Sequence, residues 1–141
     1  MADPDLADLA RVVREGVGRL NWRMRAERGG ESTLVLAVLS RLHRAGTQTP
    51  KEVSDGEKIQ PQSLTRVLAA MERDGLVSRR PDPDDRRRSL LDITQSGLAA
   101  LRSYSERRER WLAAAMAETL TETEQELLRL AAKVMMQLAD S

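Results

Sequence analysis

The chain has 141 residues, 40% of them hydrophobic and 32% charged, which suits one compact globular domain and leaves no room beside it for a separate catalytic domain. Lys and Arg number 23 against 22 Asp and Glu, a formal net charge of +1 that does not by itself point to nucleic acid, and the absence of cysteine excludes disulfides, thiolate metal sites and thiol-based redox sensing. No apolar run approaches the ~20 residues of a membrane span, and the opening MADPDLADLA is acidic and amphipathic, unlike a secretory signal, so a cytoplasmic protein is expected.

Trp22, Tyr104 and Trp111 are the only aromatic residues, and the core must therefore be built from Leu, Ala, Val and Met. Asp3-Pro4 reads as an N-cap followed by proline at the first helical position. Leu6, Leu9, Val13, Val17, Leu20 and Met24 then recur every three to four residues, which predicts one long amphipathic helix ending near Gly29-Gly30. Gly16 and Gly18 inside it each cost about 1 kcal/mol relative to alanine; they either admit another backbone or are tolerated surface glycines. Ser32 caps a second helix through Ala45, with Val35, Val38, Leu39 and Leu42 inward and Gly46 as its stop. His43, the single histidine, falls near that helix's C-terminus, where a capping or surface role favoured by the dipole is the ordinary reading. Thr49-Pro50-Lys51-Glu52 reads as a capping box opening a short helix, which Ser54, Asp55 and Gly56 weaken because all three are poorer helix formers than alanine.

The next stretch, Gln60 to Thr94, joins a one-faced helix to an arginine-tipped hairpin with almost no linker. Pro61 suits the first helical position, Leu64, Val67, Leu68 and Met71 form one buried stripe, and Gly75-Leu76 closes the helix near Asp74. The opposite face carries Gln62, Ser63, Thr65, Arg66, Ala69, Ala70 and Arg73, short or forked groups able to enter a major groove, where Arg pairs with guanine and Gln with adenine. Two short strands follow, Val77 to Arg80 and Arg88 to Ile93, separated by a turn over residues 81–87 that contains Pro81 and Pro83. From Arg79 to Arg88 five arginines face three aspartates, a local charge of +2, and arginine at such a tip can read the width and potential of a minor groove.

Thr94 caps a further helix carrying Leu98, Leu101, Tyr104, Arg108, Trp111 and Ala115, and Thr121 with Glu124 forms a second capping box. The last helix has Leu127, Leu130, Ala131, Val134 and Leu138 on one side, with Leu128, Met135 and Ala139 beside them. So wide an apolar surface, matched by that of the first helix, predicts a partner subunit; the alternative is a helical pair within one chain. The stretch Arg11 to Arg28 carries +4 and Glu118 to Ser141 carries −3, so a basic footprint exists although the total is near zero.

Gln60 to Thr94 resembles the recognition helix and wing of the MarR (multiple-antibiotic-resistance regulator) transcription factors. The wing carries the resemblance best: Asp85-Arg86-Arg87 matches an Asp-x-Arg, followed by Leu90-Leu91-Asp92-Ile93-Thr94, and the helix closing on Gly75-Leu76-Val77 fits as well. The resemblance implies a mainly α fold with a small β-wing. Within a single domain of residues 1–141 it expects a winged helix-turn-helix over 32–94, flanked by dimerisation helices over 1–30 and 98–141. It also implies a homodimer acting as a ligand-responsive repressor on an inverted repeat of double-stranded DNA. The expected DNA-binding residues are Gln60, Pro61, Gln62, Ser63, Thr65, Arg66, Arg73, Asp85, Arg86, Arg87 and Arg88. Arg87 would enter the minor groove with Asp85 holding it, and Arg86 and Arg88 would serve phosphates. A small aromatic or phenolic effector is implied near Trp22, Arg23, His43 and Tyr104. No cofactor or metal is expected, and no catalytic residues: the chain has no Gly-rich phosphate loop, and His43 has no evident Ser or Asp partner. The rival reading is a winged-helix adaptor that binds protein, against which the cationic Arg66, Arg73, Arg86, Arg87 and Arg88 speak.

Overall fold

A computed structural model of the chain describes residues 3–27, 29–30 and 32–141. The elements in order are α1 (Pro4–Met24), α2 (Thr33–Ala45), α3 (Pro50–Glu57), α4 (Pro61–Arg73), β1 (Val77–Pro81), β2 (Ser89–Ile93), α5 (Gln95–Thr119) and α6 (Glu122–Ala139), a mainly helical chain with one two-stranded sheet. It divides into two compact units, Ala26–Arg107 and Met1–Arg25 with Arg108–Ser141.

The middle unit is organised around a core of Val38, Leu39, Leu42, Val53, Ile59, Leu64, Leu68, Met71, Val77 and Leu91. Each fully buried aliphatic side chain of this kind stabilises the fold by about 1.5–3 kcal/mol. Ser32 caps α2 by accepting from the Leu34 amide, and Gly46, at φ 77°, ends it. Val38, Leu39 and Leu42 are buried as the spacing suggests, Val35 packs half-buried against the core, and Leu36, outside the expected stripe, is buried as well. The Thr49 box is half closed: Thr49 Oγ1 accepts from the Glu52 amide at 3.1 Å, but the Glu52 carboxylate accepts the Thr49 hydroxyl rather than a backbone N–H. Between α3 and α4, Lys58 adopts the left-handed conformation (φ 52°, ψ 44°). The buried Ser54 hydroxyl donates to Ile59 O at 2.6 Å and the Ile59 amide returns a bond to Ser54 O at 3.0 Å. That turn fixes the angle at which α4 leaves α3.

The end of α4 is a complete Schellman motif: the Leu76 amide reaches Met71 O at 2.8 Å, the Gly75 amide reaches Glu72 O at 3.1 Å, and Gly75 sits at φ 74°. The chain is thereby turned straight into β1, which pairs antiparallel with β2 from Val77↔Ile93 to Pro81↔Ser89. The strand ends differ from the spacing. Pro81 belongs to β1, and Arg88 to the turn, where its amide donates to Asp85 O at 2.9 Å; the Asp82 amide donates to Arg88 O at 3.0 Å, and since bonded pairs alternate along an antiparallel ladder, Pro81↔Ser89 falls where no N–H is needed. Gln48 adds a one-residue bridge on the other edge of β2, exchanging backbone bonds of 3.2 and 2.7 Å with Leu91. Thr94 accepts from the Gly97 amide at 3.0 Å and donates to Gly75 O at 2.5 Å, tying the start of α5 to the end of α4.

In the terminal unit, α1 starts at the Asp3 cap and ends at Met24; a tighter 3₁₀ turn over Arg25–Glu27 follows it, and Gly29 and Gly30, which belong to the middle unit, have φ 66° and 88°. Arg28, the end of the basic stretch, lies outside the described residues. The Thr121–Glu124 box opening α6 is complete. Neither α1 nor α6 has a buried residue: Leu6, Leu9, Val17, Leu20, Leu127, Leu130, Val134 and Leu138 are all exposed. A Cβ added at Gly16 or Gly18 would meet nothing within 4 Å. Arg23 lies 4.5 Å over the Trp111 ring, and Arg108 donates to Asn21 Oδ1 at 3.4 Å.

Candidate nucleic-acid interface

The middle unit presents α4 and the β1–β2 hairpin from one core. Because Leu64, Leu68 and Met71 are buried in that core, the helix turns Gln62, Ser63, Thr65, Arg66, Ala69 and Arg73 to solvent, while Ala70 is half-buried. Gln60 occupies the N-cap position without making a side-chain cap, and Pro61 takes the first helical position. Thr65 bonds its hydroxyl to Pro61 O at 2.9 Å and Arg73 Nε stands 3.8 Å from Asp74. Among the described residues, the side chains of Gln62, Ser63 and Arg66 have no hydrogen bond or ion pair, so their donors and acceptors face outward.

The arginines of the hairpin sort into two groups by their partners. At its base Arg79 grips Glu72 with bonds of 3.0 and 3.4 Å, and Arg80 Nε binds Asp92 at 2.9 Å. Asp92 also accepts from Thr47 at 2.5 Å; that hydroxyl bond, the Arg80 bond and the Arg80 charge hold its carboxyl below the usual carboxylate range against the opposing effect of burial. At the tip the expected pair is present: Asp85 Oδ1 accepts from the Arg87 amide at 3.1 Å and from Arg87 Nε at 3.3 Å, while the Arg87 side chain is 92% exposed. Arg86 is exposed and, among the described residues, unpaired. Arg88 instead pairs with Asp82 at 3.3 Å and stands 3.8 Å from Asp85.

Asp82 is the position the sequence reading missed. It is buried, and its Oδ1 accepts from the Asp84 amide at 2.9 Å, an Asx turn that the Asp-Pro dipeptide Asp82-Pro83 signals. Of the four effector candidates, Trp22 and Arg23 belong to the terminal unit and His43 and Tyr104 to the other. Trp22 is exposed and, with Gly18, Arg19 and Arg23, lines an open recess of about 420 Å³. His43 is exposed in the last turn of α2, and Tyr104 is buried. Among the described residues no cluster of His, Asp and Glu could hold a metal ion, and no helix is long and apolar enough to cross a membrane.

The MarR family model matches residues 35–89, which hold α3, α4, β1 and the turn. An uncharacterised HTH-type transcriptional regulator of Mycobacterium bovis is 34% identical over 99% of this chain and 98% of its own length. A crystal structure of a transcriptional regulator protein from Pseudomonas aeruginosa superposes with a TM-score of 0.81 at 30% identity, covering 99% of both chains. A mutant MarR from E. coli complexed with operator DNA shares the fold with a TM-score of 0.61 at 22% identity, over 95% of this chain and 99% of that one. With a winged helix-turn-helix fold and a full-length relative of this similarity, the chain belongs to the MarR family of transcriptional regulators.

Proposed function

We propose that this regulator binds double-stranded DNA sequence-specifically, reading base edges in a major groove with α4 and an adjacent minor groove with the tip of its wing. The observation that carries the reading is the outward chemistry of Gln62, Ser63 and Arg66, unpaired among the described residues, beside a hairpin that projects Arg86 and Arg87. Arg and Gln are the side chains that bond guanine and adenine edges in pairs. Gln60, Pro61 and Thr65 lie where a backbone would pass the start of the helix, and Arg73 serves a phosphate at its far end. Residues 32–94 form the reading part.

Residues 1–30 and 98–141 hold two copies together. Among the described residues nothing covers the exposed apolar side chains of α1 and α6, and an apolar surface of that kind is covered by a partner in a stable protein. A twofold dimer carries two reading units, and its site is an inverted repeat with half-sites about 10 bp apart. The same reading makes the protein a repressor that a small aromatic acid or phenol releases; the recess beside Trp22, Arg19 and Arg23 offers such a ligand an aromatic wall and cations.

Sedimentation combined with titration of random and library-selected duplexes tests this. A dimer is expected, and if 6–10 phosphates are contacted, affinity falls by roughly 10³–10⁵ between 50 and 200 mM salt. A monomer with salt-independent retention, or no retention on DNA at low salt, contradicts the reading, the second result favouring a protein-binding adaptor.

A further inference from the structure

Resting on the DNA-reading function above, we propose that Arg88 is a positioning residue of the wing and makes no DNA contact: together with the buried Asp82 it is the strut that aims Arg87.

Asp82 is the only acidic residue that is buried among the described residues, and it sits in an exposed hairpin where nothing forces a carboxylate out of water. A buried carboxylate is tolerated only where it is bonded, and every bond it makes serves the turn. Its Oδ1 takes the Asp84 amide at 2.9 Å, its Oδ2 forms an ion pair with Arg88 Nη2 at 3.3 Å, and its own amide donates to Arg88 O at 3.0 Å. Arg88 then reaches forward to the tip. Its amide donates to Asp85 O at 2.9 Å, and its Nε stands 3.8 Å from Asp85 Oδ2. The other oxygen of Asp85 holds both the amide and Nε of Arg87. The chain of contacts Asp82, Arg88, Asp85, Arg87 runs from the end of β1 to the projecting guanidinium. An exposed ion pair is worth little alone, but here one end is 9% exposed, and the pair adds a side-chain link between two turns that the Asp82–Arg88 backbone bond already brings together.

The sign of the effect separates a strut from a phosphate contact. Asp82→Asn keeps an acceptor for the Asp84 amide, removes a negative charge, and leaves Arg88 free to reach a phosphate. If Arg88 were a DNA contact masked by Asp82, the variant would bind more tightly. As a strut, it binds more weakly despite its added positive charge.

The full-length wild type, Asp82→Asn, Arg88→Gln, Arg88→Lys and the Asp82→Asn/Arg88→Gln double variant would be titrated at fixed salt. The probe is a duplex that the wild type selects from a random library, made with either A·T or G·C pairs under the wing. Each single variant is expected to weaken binding by about tenfold, the size of a lost charge-assisted bond, and the double to be no weaker than the poorer single. Arg88→Lys, which keeps a cation but not the two-ended fork, is expected to bind as weakly as Arg88→Gln. The preference for A·T over G·C under the wing shrinks in all of them, a change that a merely less stable protein would not show. Tighter binding by Asp82→Asn, wild-type binding by Arg88→Lys, or additive losses in the double variant would overturn the strut. Failure of the wild type to select any duplex would instead remove the function on which it rests.

Discussion

The guanidinium of Arg41 lies directly over the Cα of Gly56, in the space a side chain at that position would take. Gly56 is within α3 and has no positive φ, so helix propensity alone favours alanine there by about 0.5–1 kcal/mol. Arg41 cannot move away freely. Its Nε donates to Gln48 at 2.7 Å and its Nη1 stands 3.8 Å from Glu57, the Arg41 and Glu57 side chains being only 26% and 21% exposed. Gly56→Ala is therefore expected to lower stability slightly, since a charge-assisted bond of about 1.5–3 kcal/mol is disturbed. In an Arg41→Ala background the same exchange is expected to raise stability by about 0.5–1 kcal/mol. Denaturant unfolding of the four proteins reads the cycle, and the same sign in both backgrounds would show that Arg41 does not hold that space.

Much of the architecture was legible because helix ends are written locally. Asp3, Ser32, Thr94 and Thr121 all cap as their positions suggest, and Gly75-Leu76 closes α4 with the expected bonds. What escaped depends on residues distant in sequence or on single positions without a period. The Gln48 bridge to Leu91 is one residue long and joins segments 43 positions apart, and Gly56 reads as a helix weakness until Arg41 is seen above it. The Asp85–Arg87 pair was legible from its motif. The burial of Asp82 was not, since a charged residue between prolines in a basic turn reads as solvated.

Lys58 is the one described non-glycine residue with positive φ, at 52°. The left-handed conformation costs a side-chain-bearing residue about 1–2 kcal/mol, against the roughly 0.5–1 kcal/mol that glycine loses through its freer unfolded chain. Lys58→Gly is expected to stabilise by about 0.5–1 kcal/mol in denaturant unfolding. A loss of stability would mean that the lysine side chain supports the turn in a way its exposure does not suggest.

Asp92 gives the fold an acid sensitivity of known sign. Its carboxyl is held below the ordinary range first by Thr47 and then by Arg80, so the folded chain binds this proton more weakly than the unfolded one. The stabilisation is fully present above about pH 4 and is lost as pH falls through the lower folded value. The stability difference between wild type and Asp92→Asn is expected to be constant near neutrality and to shrink below about pH 4, and Thr47→Val should reduce the same difference. A difference that stays level down to pH 2 would show that the two bonds do not favour the charged form.

At the wing tip, Asp85→Ala is expected to weaken operator binding although it deletes a negative charge from a surface facing DNA. The reason is geometric: Asp85 Oδ1 bonds both the amide and the side chain of Arg87, and a freed Arg87 must be ordered again on binding. Arg87→Ala should weaken binding as well. Tighter binding by Asp85→Ala at fixed salt would reduce the tip to an unordered cationic surface.

The most direct test of the whole account is the ratio of affinities for a library-selected inverted repeat and a random duplex, measured for the wild type and for Arg66→Ala by fluorescence anisotropy at one salt concentration. Arg66 projects from α4 without a partner among the described residues, and a paired contact to a base edge carries about 1–3 kcal/mol of discrimination, whereas a phosphate contact carries none. Removing it should cut affinity for the selected repeat by roughly fivefold to a hundredfold and leave the random duplex nearly unchanged. Equal losses on both duplexes would show that α4 only touches the backbone, and sequence reading by this face would be wrong.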